Sequence, residues 1–504
     1  MASPSSPPLV PTLLAAAMLL LPACSDRSKQ ANGGSDSNAA EGRQRSVILI
    51  SIDSLRADFV SVYGHKPKFA PDVPTMPFLQ ELADGDGVVF EHASAPSPWT
   101  LPSHMTLLTA MNPVEHGVRS RKFSLSKDID LVSDRFKQAG YKTGGFFSAP
   151  FLHPAWGFGR GFDVYVPSAD YLGTIDAGNA LSAAGKSEEV VEIHHQSHTD
   201  KETGAQVVDR ALTWLESEKN YEAPFFLFLH FWDPHYDYFP PAEYAEMFHP
   251  GYDGDIVGDE LMQLDRPISP DEMDHLKALY EAEIRYTDDQ IRRLFARMEE
   301  LGVGDDVIVA VVSDHGDEFE EHGNRGHHLT LLEEVMHVPM VISAPGLIEG
   351  PRRVEASVSI RDAAPTLMDL AGLPAWTDRS GKSLRPIWET DDIHREVSMD
   401  LFRPAKRIEL MGYRHGMMKG IQNLKKNSFT VYDLAADPGE LHPSVGLITE
   451  NNPFARAALD FLNKVAQSHH QTGLVKEEAE ITNLLDDLGY SASEAPQNQP
   501  KPEE

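Results

Sequence analysis

Four stretches of this chain are apolar at nearly every position: SVILISID (46–53), PFFLFLHF (224–231), VIVAVVSD (307–314) and VPMVISAP (338–345). An unbroken apolar run of this length marks a strand covered on both faces, since a strand with one face in water alternates. Between them lie segments with helical spacing, among them MPFLQELAD and a long helix beginning at Asp271 (DEMDHLKALYEAEIRYTDDQIRRLFARMEELG). Strands alternating with helices predict an α/β fold with a large, mostly parallel sheet flanked by helices. Ligands in such folds bind beyond the carboxyl ends of the strands. Asp53, the segment His230–His235, and Asp314-His315 all fall there. Residues 170–205, rich in Ala, Gly, Ser and His, read as an excursion over the sheet, and 251–272 as an acidic loop. After about residue 390 the pattern changes to short strand-like runs, which sets a C-terminal subdomain at 390–490 apart from a catalytic domain at 46–389. The final residues, 491–504, are poor in apolar side chains and read as a disordered tail.

Composition adds limits. The chain has 504 residues, and 44 basic against 77 acidic side chains give a net charge of −33. That charge argues against nucleic acid as a partner. The single cysteine, Cys24, excludes an intrachain disulfide. It follows a short apolar run, Leu13 to Leu21, that is too short to span a bilayer and reads as a signal segment. Leu21-Pro22-Ala23-Cys24 resembles a bacterial lipobox. The expectation is therefore a lipoprotein signal peptide at 1–23, lipidation of Cys24, and a polar, Gly/Ser-rich tether at 24–45. This places the protein in a bacterial cell envelope, held to the membrane by its lipid, at the outer membrane or the periplasmic face.

The chemistry gathers around Thr100, in SPWTLPSHMTLLTA (97–110), where a Pro-containing turn opens a helix. A hydroxyl there is ordinarily an N-cap, but a helix N-terminus also favours an anion. Two carboxylates (Asp53, Asp314), an imidazole (His315) and this hydroxyl at the ends of separate segments suggest a metal-activated hydroxyl nucleophile. Together these strings resemble the sulfatase branch of the alkaline phosphatase superfamily. Thr100, Pro102 and Ser103 fall on that family's nucleophile, proline and serine, and Leu107 to Pro113 and His116-Gly117 continue the match. Near the C-terminus SFTVYDLAADPGE is similar to the family's Tyr-Asp-Leu, Asp-Pro-x-Glu signature. The resemblance covers about 46–440 and implies an alkaline-phosphatase-like fold with a small C-terminal antiparallel sheet and one helix.

The departures matter as much as the matches. The family nucleophile is Cys or Ser oxidised to formylglycine, whereas oxidising the carbinol of Thr100 would give a ketone. His104 stands in place of the motif's arginine, Ser54 in place of a second aspartate, and the familiar Lys-Trp-His segment is absent between Tyr141 and Phe162. Asp314-His315 is the pair that related phosphotransferases use where calcium sulfatases have Asp-Asn. The resemblance thus implies one divalent metal ion held by Asp53, Thr100, Asp314 and His315. Zinc or manganese is favoured over calcium or magnesium because an imidazole replaces a carboxylate. His235 and His327, with His328 as the alternative register, match positions that bind the ester anion and assist catalysis. Arg56 is expected in a structural ion pair near Asp53, and one of His116 and His322 in orienting a loop. The acidic run Asp317, Glu318, Glu320 and Glu321 reads as a solvated helix face. The implied activity is hydrolysis or transfer of a sulfate or phosphate ester on a small-molecule, glycan or lipid substrate. Two alternatives stand: a two-metal phosphodiesterase using Asp233, His235 and His327, and a sulfatase-like lipoprotein that only binds anions or glycans.

Overall fold

The computed structural model describes residues 44–167, 203–217, 223–256, 258, 266–390, 395–446, 453–467 and 472–474. The lipidation site at Cys24, the tether, most of the 170–205 excursion and the C-terminal tail lie outside them.

An eight-stranded sheet forms the centre: β1 (Val47–Ile52), β2 (Gly87–Ser94), β3 (Lys142–Phe147), β4 (Val164–Pro167), β5 (Phe225–Phe231), β6 (Ile308–Ser313), β7 (Met340–Ser343) and β8 (Arg352–Ser359). Their spatial order is β8-β2-β7-β6-β1-β5-β3-β4. Every neighbouring pair is parallel except those made by β7, which runs antiparallel to both β2 and β6. The unbroken apolar runs follow from two covered faces. Val47 and Leu49 of β1 enter one core with Leu101, Met105 and Leu108, whereas Ile48, Ile50 and Ile52 enter the other with Val207, Leu276 and Tyr280. Helix α1 (Pro77–Asp84), helix α3 (Thr203–Ser217) and the long helix α4 (Pro270–Glu300) cover this second face, and helix α2 (Thr100–Thr109) the first. Helix α4 starts at a capping box, with Ser269 and Glu272 each accepting from the other's amide region.

Register aligns the ends that matter. Ser51 of β1 lies between His230 of β5 and Val312 of β6. Two residues further, Asp53 and Asp314 therefore leave the sheet side by side, next to the loop that carries His235.

The described residues pack as one compact unit. Within it a second sheet is antiparallel throughout and ordered as in the chain: β9 (Glu396–Arg403), β10 (Ile408–His415), β11 (Met418–Asn423), β12 (Ser428–Asp433) and β13 (Ser444–Gly446). Helix α5 (Pro453–Gln467) packs Ala455, Ala458 and Leu462 on Met411 and Tyr413. This sheet braces the segment before Thr100: Asp400 N donates to Pro96 O at 2.8 Å, and Ser97 Oγ donates to Asp400 O at 2.8 Å.

A buried charge cluster closes the join. Lys419 Nζ lies 2.8 Å from Glu333 and 3.0 Å from Glu440, while Arg414 holds the other Glu333 oxygen at 2.7 Å. Glu440 ends the ADPGE string and also accepts from Glu333 N at 2.6 Å. Its carboxylate thus ties the end of β12 to the segment behind the site. Replacing Lys419 with Met would strand the buried carboxylate of Glu440 and leave Glu333 with Arg414 alone. Its expected cost is about 3–5 kcal/mol, read as a lowered urea midpoint with an unchanged slope. A midpoint equal to that of the wild type would contradict this account.

Candidate active site

Asp314 shows how the site is organised. Its Oδ1 accepts from Ser54 N at 3.2 Å and from His315 N at 2.9 Å. Oδ2 has no hydrogen-bond partner among the described residues and lies 3.2 Å from His315 Nε2 and 3.4 Å from His104 Nδ1. Ser54, at φ 57°, turns its amide to Asp314 and its hydroxyl to Asp53 Oδ1 at 3.2 Å. The residue standing where the family has a second aspartate therefore tethers both remaining carboxylates. Ser313 Oγ accepts from Leu55 N at 3.0 Å and donates to His315 O at 2.7 Å, joining the two loops. Tyr280 of α4 does the same from below, donating to Ser54 O at 2.7 Å and accepting from Arg56 N at 2.8 Å.

Asp53, Asp314 and His315, fully buried, offer ligand atoms within 4.8 Å of one another. His315 Nε2 lies 3.6 Å from Asp53 Oδ1 and 3.3 Å from Thr100 Oγ1. The donor set fits a divalent cation on two counts. His315 Nδ1 donates to Gly316 O at 3.2 Å, which leaves the Nε2 lone pair facing the carboxylates, as metal-ligating imidazoles require. And burial pushes both carboxyls up, Asp314 well above its ordinary value with Asp53 adding to the rise, while burial and His327 hold His315 well below its own. Two carboxylates sealed from water need a positive charge beside them to stay ionised.

Thr100 is the first residue of α2, and the N-cap is Trp99, which makes no side-chain cap bond. The N-cap role expected of an ordinary threonine is thus not the one Thr100 fills. It is 3% exposed. Ser103, one turn on, gives its hydroxyl to Asp314 O at 2.7 Å. His104, in the arginine's place, donates from Nδ1 to Thr100 O at 2.9 Å and accepts from Ser51 at Nε2, 2.9 Å. Burial, with His230 beside it, brings it down to about 3, so it is neutral. His230 stacks edge-on to His104 at 4.8 Å and places Nε2 3.3 Å from Asp53 Oδ2. Sequence reasoning missed both as site neighbours. The signal for His104 was present in the motif substitution; for His230 it was only its place at a strand end.

His327 and His235 reach the same centre. The His327 ring lies 4.2 Å from that of His315 and 5.1 Å from that of His235. The doublet separates by environment. His327 Nδ1 meets Asp317 Oδ1 at 2.7 Å, whereas His328, at φ 90°, stands against Trp99 with its amide donating to Pro98 O at 3.1 Å.

Two expectations are corrected. The acidic run is no solvated helix face: Asp317 and Glu318 are buried, and Glu318–Phe319 forms a short strand with Arg325–Gly326. Asp233 does not join His235 and His327 in a second ion site. Its Oδ2 accepts from Thr203 Oγ1 at 2.7 Å and Gly204 N at 2.8 Å at the start of α3. Arg56 makes the expected structural ion pairs, with Asp58 and Glu321 at 2.8 Å each. Both histidines named as loop-holders make such bonds: His116 accepts from Val118 N at 3.0 Å, and His322 lies 3.3 Å from Glu334 and from Glu440 O.

The chain matches the sulfatase family over residues 45–373, and a second family, N-sulphoglucosamine sulphohydrolase, C-terminal, over 321–464. Among curated relatives, a sulfatase of Formosa agariphila is 24% identical over 70% of this chain and 75% of its own length. The choline-sulfatase of Rhizobium meliloti is 25% identical over 78% and 81% respectively. Among solved structures, BT4656 in complex with its substrate D-glucosamine-2-N,6-O-disulfate superposes with a TM-score of 0.66 at 18% identity, covering 84% of this chain and 98% of that one. The phosphonate monoester hydrolase of Agrobacterium radiobacter gives 0.62 at 22% identity, over 84% and 94%. With the sulfatase match spanning more than half of its length, and with this fold, the chain belongs to the sulfatase family of the alkaline phosphatase superfamily.

Proposed function

We propose that this sulfatase-family protein cleaves a sulfate or phosphate ester by direct attack of an unmodified threonine, Thr100, with one divalent metal ion as cofactor. The observation that carries the reading is the meeting of Thr100 Oγ1 with His315 Nε2 at 3.3 Å, beside the two buried carboxylates of Asp53 and Asp314. Asp53, Asp314, His315 and Thr100 would hold the ion, which when bound lowers the pKa of the hydroxyl and offsets charge on the transferring group. Zinc or manganese suits this mixed N/O set.

The chain's own groups divide the remaining work. The Thr100 oxygen gives up its proton to solvent and bonds to sulfur or phosphorus as the ester bond breaks with its electron pair on the leaving oxygen, which one of the histidines can protonate, giving a covalent sulfo- or phosphothreonine. His235, with His328 at the margin, would donate to the anion's oxygens, and His327 would serve the proton transfers. Water or an acceptor alcohol then resolves the adduct. Names among the relatives support an anionic ester of a sugar or small alcohol as substrate: choline-sulfatase, and the disulfated glucosamine held by BT4656. The phosphonate monoester hydrolase neighbour supports phosphorus as an alternative reaction centre.

Rapid quenching with 4-nitrophenyl sulfate, phosphate or methylphosphonate, followed by peptide mapping, tests this. The expected adduct adds sulfate, phosphate or phosphonate mass to the Thr100 peptide. Turnover with formylglycine-type chemistry elsewhere in the chain would defeat the proposal.

The same reading puts the protein in the bacterial envelope, anchored through Cys24. Its support is the short apolar run before that residue and the polar stretch after it. Mass analysis of the mature N-terminus should show diacylglyceryl-cysteine, and an unmodified N-terminus elsewhere would remove the anchor.

A further inference from the structure

Asp317 has no assigned task, yet it is fully buried within the site. Its Oδ1 lies 2.7 Å from His327 Nδ1, and its Oδ2 accepts from Tyr238 Oη at 3.1 Å. Arg56 Nη1 donates to the Asp317 carbonyl at 2.9 Å and anchors the backbone on which the carboxylate stands. A carboxylate only accepts, so the proton of a neutral His327 must sit on Nδ1. That fixes the tautomer and leaves Nε2 with its lone pair. Nε2 is buried and has no hydrogen-bond partner among the described residues. The ring that carries it is packed against His315 and His235. A buried nitrogen left open in this way, on a ring pinned from its other side, faces a ligand or a reacting atom.

We propose that Asp317 is a positioning residue. It holds His327 so that Nε2 takes the proton of the water, or acceptor alcohol, that resolves the Thr100 adduct. This rests on the covalent mechanism above. In the step, the water oxygen bonds to sulfur or phosphorus, and one water proton passes to His327 Nε2. The bond to Thr100 Oγ1 breaks with its electron pair on that oxygen, which recovers a proton from solvent. Asp317 steadies the imidazolium so formed, as the carboxylate does in an Asp-His pair. His327 then returns its proton to solvent.

The arrangement separates the two halves of the reaction. Formation of the adduct from an activated aryl ester needs no proton from His327, because 4-nitrophenolate departs without protonation. Resolution does need the base, and general-base assistance is worth about 10² or more. Asp317→Asn keeps the shape of the side chain but removes the charge that steadies the imidazolium, and its NH2 offers Nδ1 a competing donor.

The test uses the full chain loaded with its metal and the 4-nitrophenyl ester that the wild type turns over best. D317N should give a stoichiometric burst of 4-nitrophenol, with the sulfate or phosphate retained on the Thr100 peptide and released at least about 100-fold more slowly than from the wild type. A structural defect alone would lower the burst and would not lengthen the life of the adduct. His327→Gln should reproduce the slow release, and the double variant should be no slower than either single one, because the two residues act as a unit. This variant keeps the proposal testable should D317N fold poorly. Adduct release at the wild-type rate in D317N or in H327Q overturns the inference while leaving the Thr100 mechanism in place. Turnover without any Thr100 adduct in wild type and both variants overturns the two together. Because His315, Asp317 and His327 also bring ligand atoms within 4.8 Å of one another, metal content is measured beside the kinetics. Two ions in the wild type falling to one in D317N would make Asp317 a ligand, and the positioning role would be wrong.

Discussion

Replacing Thr100 with alanine is expected to reduce turnover by at least about 10³-fold, the scale on which loss of a covalent nucleophile acts. The fold should hardly notice. Thr100 is the first residue of α2 rather than its cap, so no capping bond is lost. Alanine is the best helix former, and among the described residues the hydroxyl bonds to His315 at 3.3 Å. A stability change within about 1 kcal/mol follows for such a small truncation. Thr100→Ser should retain part of the activity, because the hydroxyl persists while the restraint on χ1 is relaxed. Ser103 cannot take over, since it is buried and its hydroxyl is committed to Asp314 O at 2.7 Å. Steady-state rates on the ester that the wild type prefers, with urea melts as the control, decide the matter. An alanine variant that turns over like the wild type, or an adduct that maps to Ser103, would end the threonine mechanism.

The second large effect concerns the metal. Purified protein is expected to carry one transition-type ion per chain, and His315→Ala to lose it together with activity. Outer partners of a metal ligand already cost about 10–100-fold in affinity when removed, so loss of the imidazole should exceed about 100-fold. His315 is also the only nitrogen in its group with the two carboxylates, and without it the set reverts to oxygen alone. Elemental analysis of wild type and H315A, followed by titration of zinc and manganese into stripped protein, gives the result directly. Stoichiometric calcium in the wild type would refute the argument from ligand softness, and full activity in metal-free protein would refute the metal altogether.

What could be read along the chain depended on burial leaving a mark on residue type. A strand sealed on both faces has to be apolar throughout, so β1, β5 and β6 stood out, and the first polar residue after each marked the edge of the sheet where the site lies. Asp53, Asp314 and His315 were legible for that reason, and Thr100 because a proline two residues on fits the opening of a helix. Direction was not legible. The run 338–345 looks like the others, yet β7 lies antiparallel to both neighbours, because apolar content says nothing of which way a strand runs.

Beyond the strand ends, sequence pattern lost its hold. In the acidic run after His315, charge alone suggested water, but loop geometry turns Asp317 inward to partners 10 and 79 positions away, His327 and Tyr238. Asp233 looked like a ligand beside His235 and instead receives the first turn of α3. Ser54 looked like a lost ligand, and its left-handed backbone makes it the tether of the two carboxylates that remain. The sequence by itself determined the layered sheet, the edge on which the chemistry sits and the residue types present there. Only the tertiary structure decided which of those residues face one another, because the bonds that aim each side chain join distant segments, Ser54 and Asp314 being 260 residues apart, and no local periodicity records them.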